Sequence, residues 1–328
     1  MTRPQYGLVM PLHNASRHLP AVLSDLRRLN DRWEIVLVDD GSTDGSAEIA
    51  EAMLPTATIL RNDVAAGPAK ARNKGVAHCS AEIVVFVDSD VEAPSEAVEG
   101  LVSFLDEHSE FAAVFGAYDD RPAIATKISL FRNLLHHYVH CASEGPVPSF
   151  WSGFGAVRKD VFESVGGFDA VRYPMPSVED IDLGARLTTA GYRIYLEPRF
   201  QVKHWKHWTL RDLVKTDVFD RARPWARMIL EGRAPRTPLN LGGRFRYPIL
   251  LMILGLVLTL GWQGSLLPKW APATVWAAYL SMNFPIYQYM NSRGVGPLSI
   301  LLLALHHLCA AVGGALAALD VFAERYLR

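Results

Sequence analysis

Cysteine is scarce in this chain: Cys79, Cys141 and Cys309 are the only three in 328 residues, widely spaced and odd in number. That excludes a disulfide framework and a thiolate-bound zinc, and it suits a reducing compartment. Charge bias is missing as well. With 33 Lys and Arg against 34 Asp and Glu, and a net charge of -1, composition gives no electrostatic footprint for nucleic acid. No Gly-x-Gly-x-x-Gly follows the first apolar stretch, which disfavours a dinucleotide-dependent oxidoreductase. Nor does the N-terminus read as a secretory signal, because Arg3 precedes only a brief apolar run, Tyr6 to Leu12, broken by Pro11. What the chain has in excess is apolar residues, half of the total with a mean hydropathy of +0.10, and the surplus lies toward its end. Its length suffices for one large domain or two.

The most informative stretch is Val84-Val85-Phe86-Val87-Asp88-Ser89-Asp90. An uncharged run of β-branched and aromatic residues predicts a buried strand of a parallel sheet. It ends in two carboxylates one residue apart, where in open α/β sheets the chain leaves the core and ligands bind. Asp88 and Asp90 are therefore candidates for holding a divalent cation and its phosphates; alternatively they only break the strand and cap the next helix. Upstream the alternation repeats. Tyr6–Asn14 reads as a strand halted by Pro11, Leu19–Leu29 as a helix with Leu19, Val22, Leu23 and Leu26 on one face, and Trp33–Asp40 as a second buried strand. Asp40, just past that strand, is placed either for a nucleotide base or ribose or for capping the following helix. A short strand, Ala57 to Leu60, precedes Gly67, which opens a helix carrying Lys70, Arg72 and Lys74. Its N–H groups and cations suit a diphosphate, and a solvated basic face would look the same. Such β-α-β alternation implies a parallel sheet with right-handed crossovers.

Beyond Asp90 the pattern predicts a helix from about Ser95 to Leu105, a strand from Ala112 to Tyr118, and an amphipathic helix from Ile124 to Cys141. His136 and His140 on that helix have metal-ligand spacing, yet no third ligand accompanies them, so a helix face near membrane or acceptor fits better. Trp151 offers a flat apolar face to a sugar ring, with Gly153 and Gly155 permitting close backbone approach; a structural Trp is an equal account. Glu179, Asp180 and Asp182 are three acids in four positions at a helix start, more than the helix dipole needs. A carboxylate that takes a proton from an acceptor hydroxyl would use one of them. Arg186, further along, reads as structural.

Pro11-x-x-Asn14, Val38-Asp39-Asp40-Gly41-Ser42-Thr43-Asp44-Gly45, Gly67-x-x-x-Ala71-Arg72-Asn73-x-Gly75 and Asp88-Ser89-Asp90, in that order, resemble the family 2 glycosyltransferases with the GT-A fold. The resemblance covers residues 5 to about 205. It implies an α/β catalytic domain with a Rossmann-like, mostly parallel sheet and a UDP-, GDP- or dTDP-sugar donor. It places Pro11, Asn14, Asp40, Gly67, Arg72, Asp88, Trp151 and Gly153 on the donor side, with Asp40 at the base. Asp90, helped by Asp88, then ligates Mg²⁺ or Mn²⁺ through the diphosphate, with His204 as a third protein ligand. Asp180 becomes the base of an inverting transfer without a covalent intermediate, and Glu179 lines the acceptor side. Some processive members carry Gln-x-x-Arg-Trp downstream. Here Arg221-Ala-Arg-Pro224-Trp225 has Pro in place of that arginine, which favours transfer of a single sugar.

The last third changes character. Between Trp208 and Arg246 apolar residues alternate with charges, including seven arginines from Arg221 onward, as expected of an amphipathic stretch at lipid headgroups. Pro248–Leu267 and Pro297–Leu319 are each long enough to cross a hydrocarbon core of roughly 30 Å. Ala271–Met290, interrupted by Asn283, Pro285 and Gln288, is open to crossing, lying in the interface or packing in a bundle. Arginines ahead of Pro248 predict a catalytic domain on the cytoplasmic side of the inner membrane, and Ala310, Gly313, Gly314 and Ala317 suit close helix packing, including a homo-oligomer. The expected organisation is a GT-A domain at 1–207, a juxtamembrane connector at 208–247 and a multi-pass transmembrane region at 248–323. The expected acceptor is a polyprenyl phosphate or lipid-linked saccharide. Two rivals remain: a nucleotide-sugar-binding scaffold without turnover, which the full set of acids argues against, and a nucleotidyltransferase, whose Gly-rich basic loop is replaced here by Pro11-Leu-His-Asn14.

Overall fold

A computed structural model describes residues 5–30, 32–234, 243–264, 268 and 270–326. The chain forms two compact units, one of residues 1–124 and 139–206, the other of 125–138 and 207–328.

In chain order the first unit contains β1 (Tyr6–Leu12), α1 (Leu19–Ser24), β2 (Trp33–Asp40), α2 (Ser46–Met53), β3 (Thr58–Asn62), α3 (Pro68–His78), β4 (Ile83–Val87), β5 (Val91–Glu92), α4 (Ser95–Glu107) and β6 (Ala113–Tyr118). After α5 (Lys127–Cys141) come β7 (Gly145–Val147), β8 (Phe154–Arg158), α6 (Lys159–Ser164), α7 (Glu179–Thr189) and β9 (Ile194–His204). The strands follow the order β3-β2-β1-β4-β8-β6-β9-β5, with β7 also on β9. The expected parallel pairing holds from β3 to β4, while β8 runs antiparallel to both of its neighbours. Every residue of β1 and β4 is buried, which explains why their sequences are unbroken apolar runs.

Two local expectations change. Pro11 does not halt β1: the strand continues to Leu12, and Pro11 pairs with Val38 of β2. The β1–β4 ladder has already ended at Val9–Phe86, so proline's missing N–H costs no sheet bond on that side. The helix expected over Leu19–Leu29 is six residues long and gives way to a 3₁₀ turn at Leu26–Arg28, closed by the Leu29 N–H on the Leu26 carbonyl.

In the second unit α8 (Leu210–Lys215), a π-helical segment (Thr216–Ala222) and α9 (Arg223–Leu230) follow one another without a break, then α10 (Gly243–Gln263), α11 (Trp270–Met282), α12 (Phe284–Ser292) and α13 (Leu298–Tyr326). Phe131, Leu134 and Leu135 of α5 share a core here with Leu213, Ile286, Tyr287, Met290, Leu302 and Leu303. Arg223 grips Asp320 at 2.6 and 2.8 Å, and Arg227 reaches Glu324 at 2.6 Å. Both pairs are 97 residues apart in sequence, so α9 and the end of α13 run parallel. Gly313 makes that approach possible, since a Cβ there would lie 2.6 Å from Ala222 Cβ and 2.8 Å from the Val218 carbonyl. Gly313, read above as suited to close helix packing, packs in that way against the π-helical segment and the start of α9. The stretch 271–290 is broken at Asn283, whose amide donates to the Tyr279 carbonyl, and Pro285 opens α12. Among the described residues two helices, Arg246–Gln263 and Leu298–Tyr326, are long and apolar enough to cross a membrane, and only 17% and 33% of their most apolar 18-residue stretches is buried. Connector residues 235–242, Arg236 among them, lie outside the described residues.

Candidate active site

The C-terminal ends of β1, β2 and β4 bring the first candidates together. Leu12 pairs with Asp39 across β1 and β2, which sets Asn14 and the Gly41–Gly45 loop side by side. Asn14 adopts φ +50°, a left-handed backbone that Asn tolerates, and its side-chain Oδ1 accepts the Thr43 N–H at 2.9 Å while its backbone N–H donates to Ser42 Oγ at 3.0 Å. Asp40 is 4% exposed and accepts from Asn62 Nδ2 at 2.7 Å, Ala66 N at 2.9 Å and Gly67 N at 2.8 Å. The carboxylate therefore ties down the loop that starts α3, rather than capping α2. It also takes the Ala66 and Gly67 N–H groups just ahead of that helix. Lys74 donates to the Arg61 carbonyl and Asn62, and Arg72 turns inward.

Arg72 is the centre of the arrangement. At 3% exposure its guanidinium donates to Asp88 at 2.5 Å and to Glu179 at 3.1 Å. Burial opposes its charge, and Asp88 and Glu179 outweigh that, raising its pKa. Glu179, expected to line the acceptor side, is buried and also accepts the Ser177 N–H at 2.9 Å. Asp182 accepts from Arg186 at 2.7 Å, and Arg186 donates to the Val165 carbonyl, which is a structural use. Asp180 is half-buried; Oδ1 accepts the Ile181 N–H at 2.8 Å and Oδ2 faces the Ser152 N–H at 3.4 Å. Next to Ser152, the Gly153 carbonyl accepts the Asp88 N–H at 3.1 Å. A closed circuit thus joins Asp88, Arg72, Glu179, Asp180, Ser152 and Gly153.

Asp90 meets His204 because Val91 of β5 pairs with His204 at the end of β9. Asp90 Oδ2 and His204 Nε2 are 3.5 Å apart, and Tyr118 stacks on the imidazole at 4.3 Å between centroids. The side chains of Asp88 and Asp90 remain 30% and 29% exposed, enough to meet a ligand. Burial pushes the Asp88 carboxyl up, against the downward pull of Arg72 and with help from Asp90. Burial acts the same way on Asp90, but the His204 contact, with Lys206 and His18 further off, holds it well below the usual carboxylate range. Among the described residues no three His, Cys or carboxylate side chains close into a metal cage. Carboxylate and imidazole donors 3.5 Å apart do fit two adjacent positions of one hard cation, leaving the rest to ligand oxygens.

Trp151 is 9% exposed and packed edge-on to Tyr118 and His140, so the structural account of it fits. A Cβ on Gly153 would strike that indole at 2.6 Å. His140 donates to the Gly116 carbonyl at 3.0 Å, an ordinary core contact.

Residues 8–166 match the family model described as glycosyl transferase family 2. That segment is a family 2 glycosyltransferase domain. Among curated relatives, the pre-mycofactocin glycosyltransferase of Mycobacterium tuberculosis is 30% identical over 219 residues, covering 65% of this chain and 45% of that protein. The undecaprenyl-phosphate 4-deoxy-4-formamido-L-arabinose transferase of Pseudomonas savastanoi pv. phaseolicola is 34% identical over 111 residues, 31% of this chain and 32% of that protein. The chain thus spans less than half of those relatives. Among solved structures, the mannosyltransferase PcManGT of Pyrobaculum calidifontis, in complex with GDP-Man and Mn²⁺, superposes with a TM-score of 0.67 at 19% identity, over 96% of this chain and 88% of that one. The mixed α/β sheet of the first unit thus has the GT-A fold.

Within this glycosyltransferase domain the motif reading missed His18. It lies close to the Ser89 backbone, between the two motif acids, and burial lowers its pKa despite the nearby Asp90. No spacing rule marks it, because it comes from the start of α1, seventy residues ahead of the motif.

Proposed function

We propose that this chain transfers a single sugar, with inversion, from a UDP-, GDP- or dTDP-sugar to a membrane-associated acceptor, either a polyprenyl phosphate or a lipid-linked saccharide. The observation that carries this is the circuit joining Asp88 of the Asp-x-Asp turn to Asp180 through Arg72 and Glu179 on one side and Gly153 and Ser152 on the other. It supports reading Asp88 as a donor-side acid and Asp180 as an acceptor-side acid, held together as a single displacement at an anomeric carbon requires. Asp180 accepts the proton of an attacking hydroxyl; with a phosphate acceptor, already anionic, it orients the nucleophile instead. The Asn14–Thr43 and Asp40–Gly67 contacts hold the loops where the nucleotide would sit. Asp88, Asp90 and His204 are the residues that would hold Mg²⁺ or Mn²⁺. Such an ion, when bound, neutralises charge developing on the leaving diphosphate.

The curated relative named for an undecaprenyl-phosphate sugar transfer supports a lipid acceptor, and PcManGT with GDP-Man and Mn²⁺ supports donor and metal. Two helices long and apolar enough to span a bilayer support a GT-A domain at 1–207 and a connector at 208–247. They also support a transmembrane region at 248–323, in the inner membrane with the active site cytoplasmic. Asp180→Asn is the test: with a hydroxyl acceptor, turnover falls by about 10²–10⁴ while nucleotide with Mn²⁺ still raises the melting temperature. Retained turnover removes Asp180 as base.

A further inference from the structure

We infer that Arg72 is a positioning residue that makes the setting of Asp180 depend on the donor-side turn, by bridging Asp88 and Glu179 with one buried guanidinium. This rests on the reading of Asp180 given above. Three contacts make α3 the platform for the segment that ends in Asp180. Gly67 lies so close to Pro174 that a Cβ would strike its carbonyl. Asn73 bonds Phe168 in both directions, its amide donating to the carbonyl at 2.7 Å and its oxygen accepting the N–H at 2.9 Å. Arg72 then holds Glu179, the first residue of α7, at 3.1 Å, with its guanidinium 5.4 Å from the Phe168 ring centre. Of these three, only Arg72 also touches the Asp-x-Asp turn.

The physical consequence is a shared cation. Asp88 and Glu179 compete for one guanidinium whose planar fork can serve both at once. When a bound cation or ribose takes part of the charge of Asp88, the pull of Arg72 shifts toward Glu179, and the first turn of α7 follows. Lysine has the charge at a single nitrogen, without the fork that aims one nitrogen at each carboxylate, so it holds the pair less well. Arg72 is therefore expected to act on turnover rather than on donor affinity, in contrast to a side chain that contacts the diphosphate.

The experiment compares the full-length chain with Arg72→Lys, Glu179→Gln and the double variant in detergent. The donor is whichever of UDP-glucose, UDP-N-acetylglucosamine and GDP-mannose gives the wild type the greatest thermal protection with Mn²⁺. The expected result is a kcat lowered about 100-fold in each single variant. Donor KM and calorimetric affinity for UDP or GDP with Mn²⁺ should change less than about threefold, and the double variant should be no slower than the worse single one. A rise in donor KM of tenfold or more at unchanged kcat in Arg72→Lys overturns the inference and makes Arg72 a diphosphate contact. Losses that multiply in the double variant overturn it too. If Arg72→Lys does not fold, Glu179→Gln decides alone, by lowering kcat at constant KM or failing to. A wild type that turns over none of these donors, or an Asp180→Asn variant at full rate, defeats the functional reading itself and is seen before the Arg72 comparison.

Discussion

Asp217→Asn in the helical unit is the substitution whose effect is worked most directly from the geometry. Asp217 is 3% exposed, lies 2.8 Å from Arg132 and 2.7 Å from His306 Nδ1, and sits in the π-helical segment. The Arg132 contact has ion-pair distance without hydrogen-bond alignment, so charge rather than directed bonding carries it. Asparagine keeps the shape and removes the charge, leaving the buried Arg132 without this counter-ion. Breaking one side of a buried pair costs about 3–5 kcal/mol, and the lower end applies because the amide still offers His306 an acceptor. At roughly 2–4 °C per kcal/mol for a chain segment of this size, the melting transition should fall by about 6–12 °C. Trp208 lies under Arg132, 5.3 Å from ring centre to guanidinium, so tryptophan fluorescence in detergent reports the transition. Burial alone would raise the Asp217 carboxyl, yet Arg132 and His306 hold it well below the usual range. Its stabilisation is therefore complete above the unfolded value of about 3.9 and disappears as pH falls through the lower folded value. The gap between wild type and variant should close in strong acid. A shift under 2 °C, or no recovery when Arg132→Met is added, refutes the reasoning.

Two further outcomes follow from single positions. In the native chain, iodoacetamide at pH 8 should label Cys141, which is exposed, and spare Cys79, whose thiol burial pushes up to about 11; mass spectrometry of the digest checks this. Gly67→Ala should destabilise the chain by at least about 1–2 kcal/mol, because φ +88° disfavours a side chain and Pro174 blocks it, and thermal unfolding with and without UDP should show both stability and nucleotide protection reduced.

The strands were legible because burial on both faces writes a strand as one apolar run, as in Ile83–Val87. Strand ends were legible too, since acids and glycines collect there. What each acid touches was not. Asp40 gave no sign in sequence that Ala66 and Gly67 would take its oxygens, because those donors are backbone N–H groups 26 and 27 residues away. Arg72 read as a donor cation on a basic helix. Only the fold shows that it faces inward to Glu179, 107 residues on. Three acids at the start of α7 did exceed what a helix dipole uses, and their partners, Arg72 for Glu179 and Arg186 for Asp182, explain two of them.

The same limit applies to the arginine-rich connector, and it changes what would touch lipid under the membrane reading. Arginines between Trp208 and Arg246 suggested attraction to headgroup phosphates, but Arg223, Arg227 and Arg233 are paired with Asp320, Glu324 and Glu231. Two of those acids lie almost a hundred residues downstream, beyond any periodicity a local pattern can register. An arginine held by a carboxylate at 2.6 Å adds little positive potential to a nearby surface, because the pair is close to neutral a Debye length away. The outward side of this helix instead carries Phe219, Ile229 and Leu230, each more than 40% exposed. Arg223, Arg227 and Arg233 should accordingly add little to the dependence of bilayer association on anionic lipid and salt, while Phe219, Ile229 and Leu230 supply its apolar part.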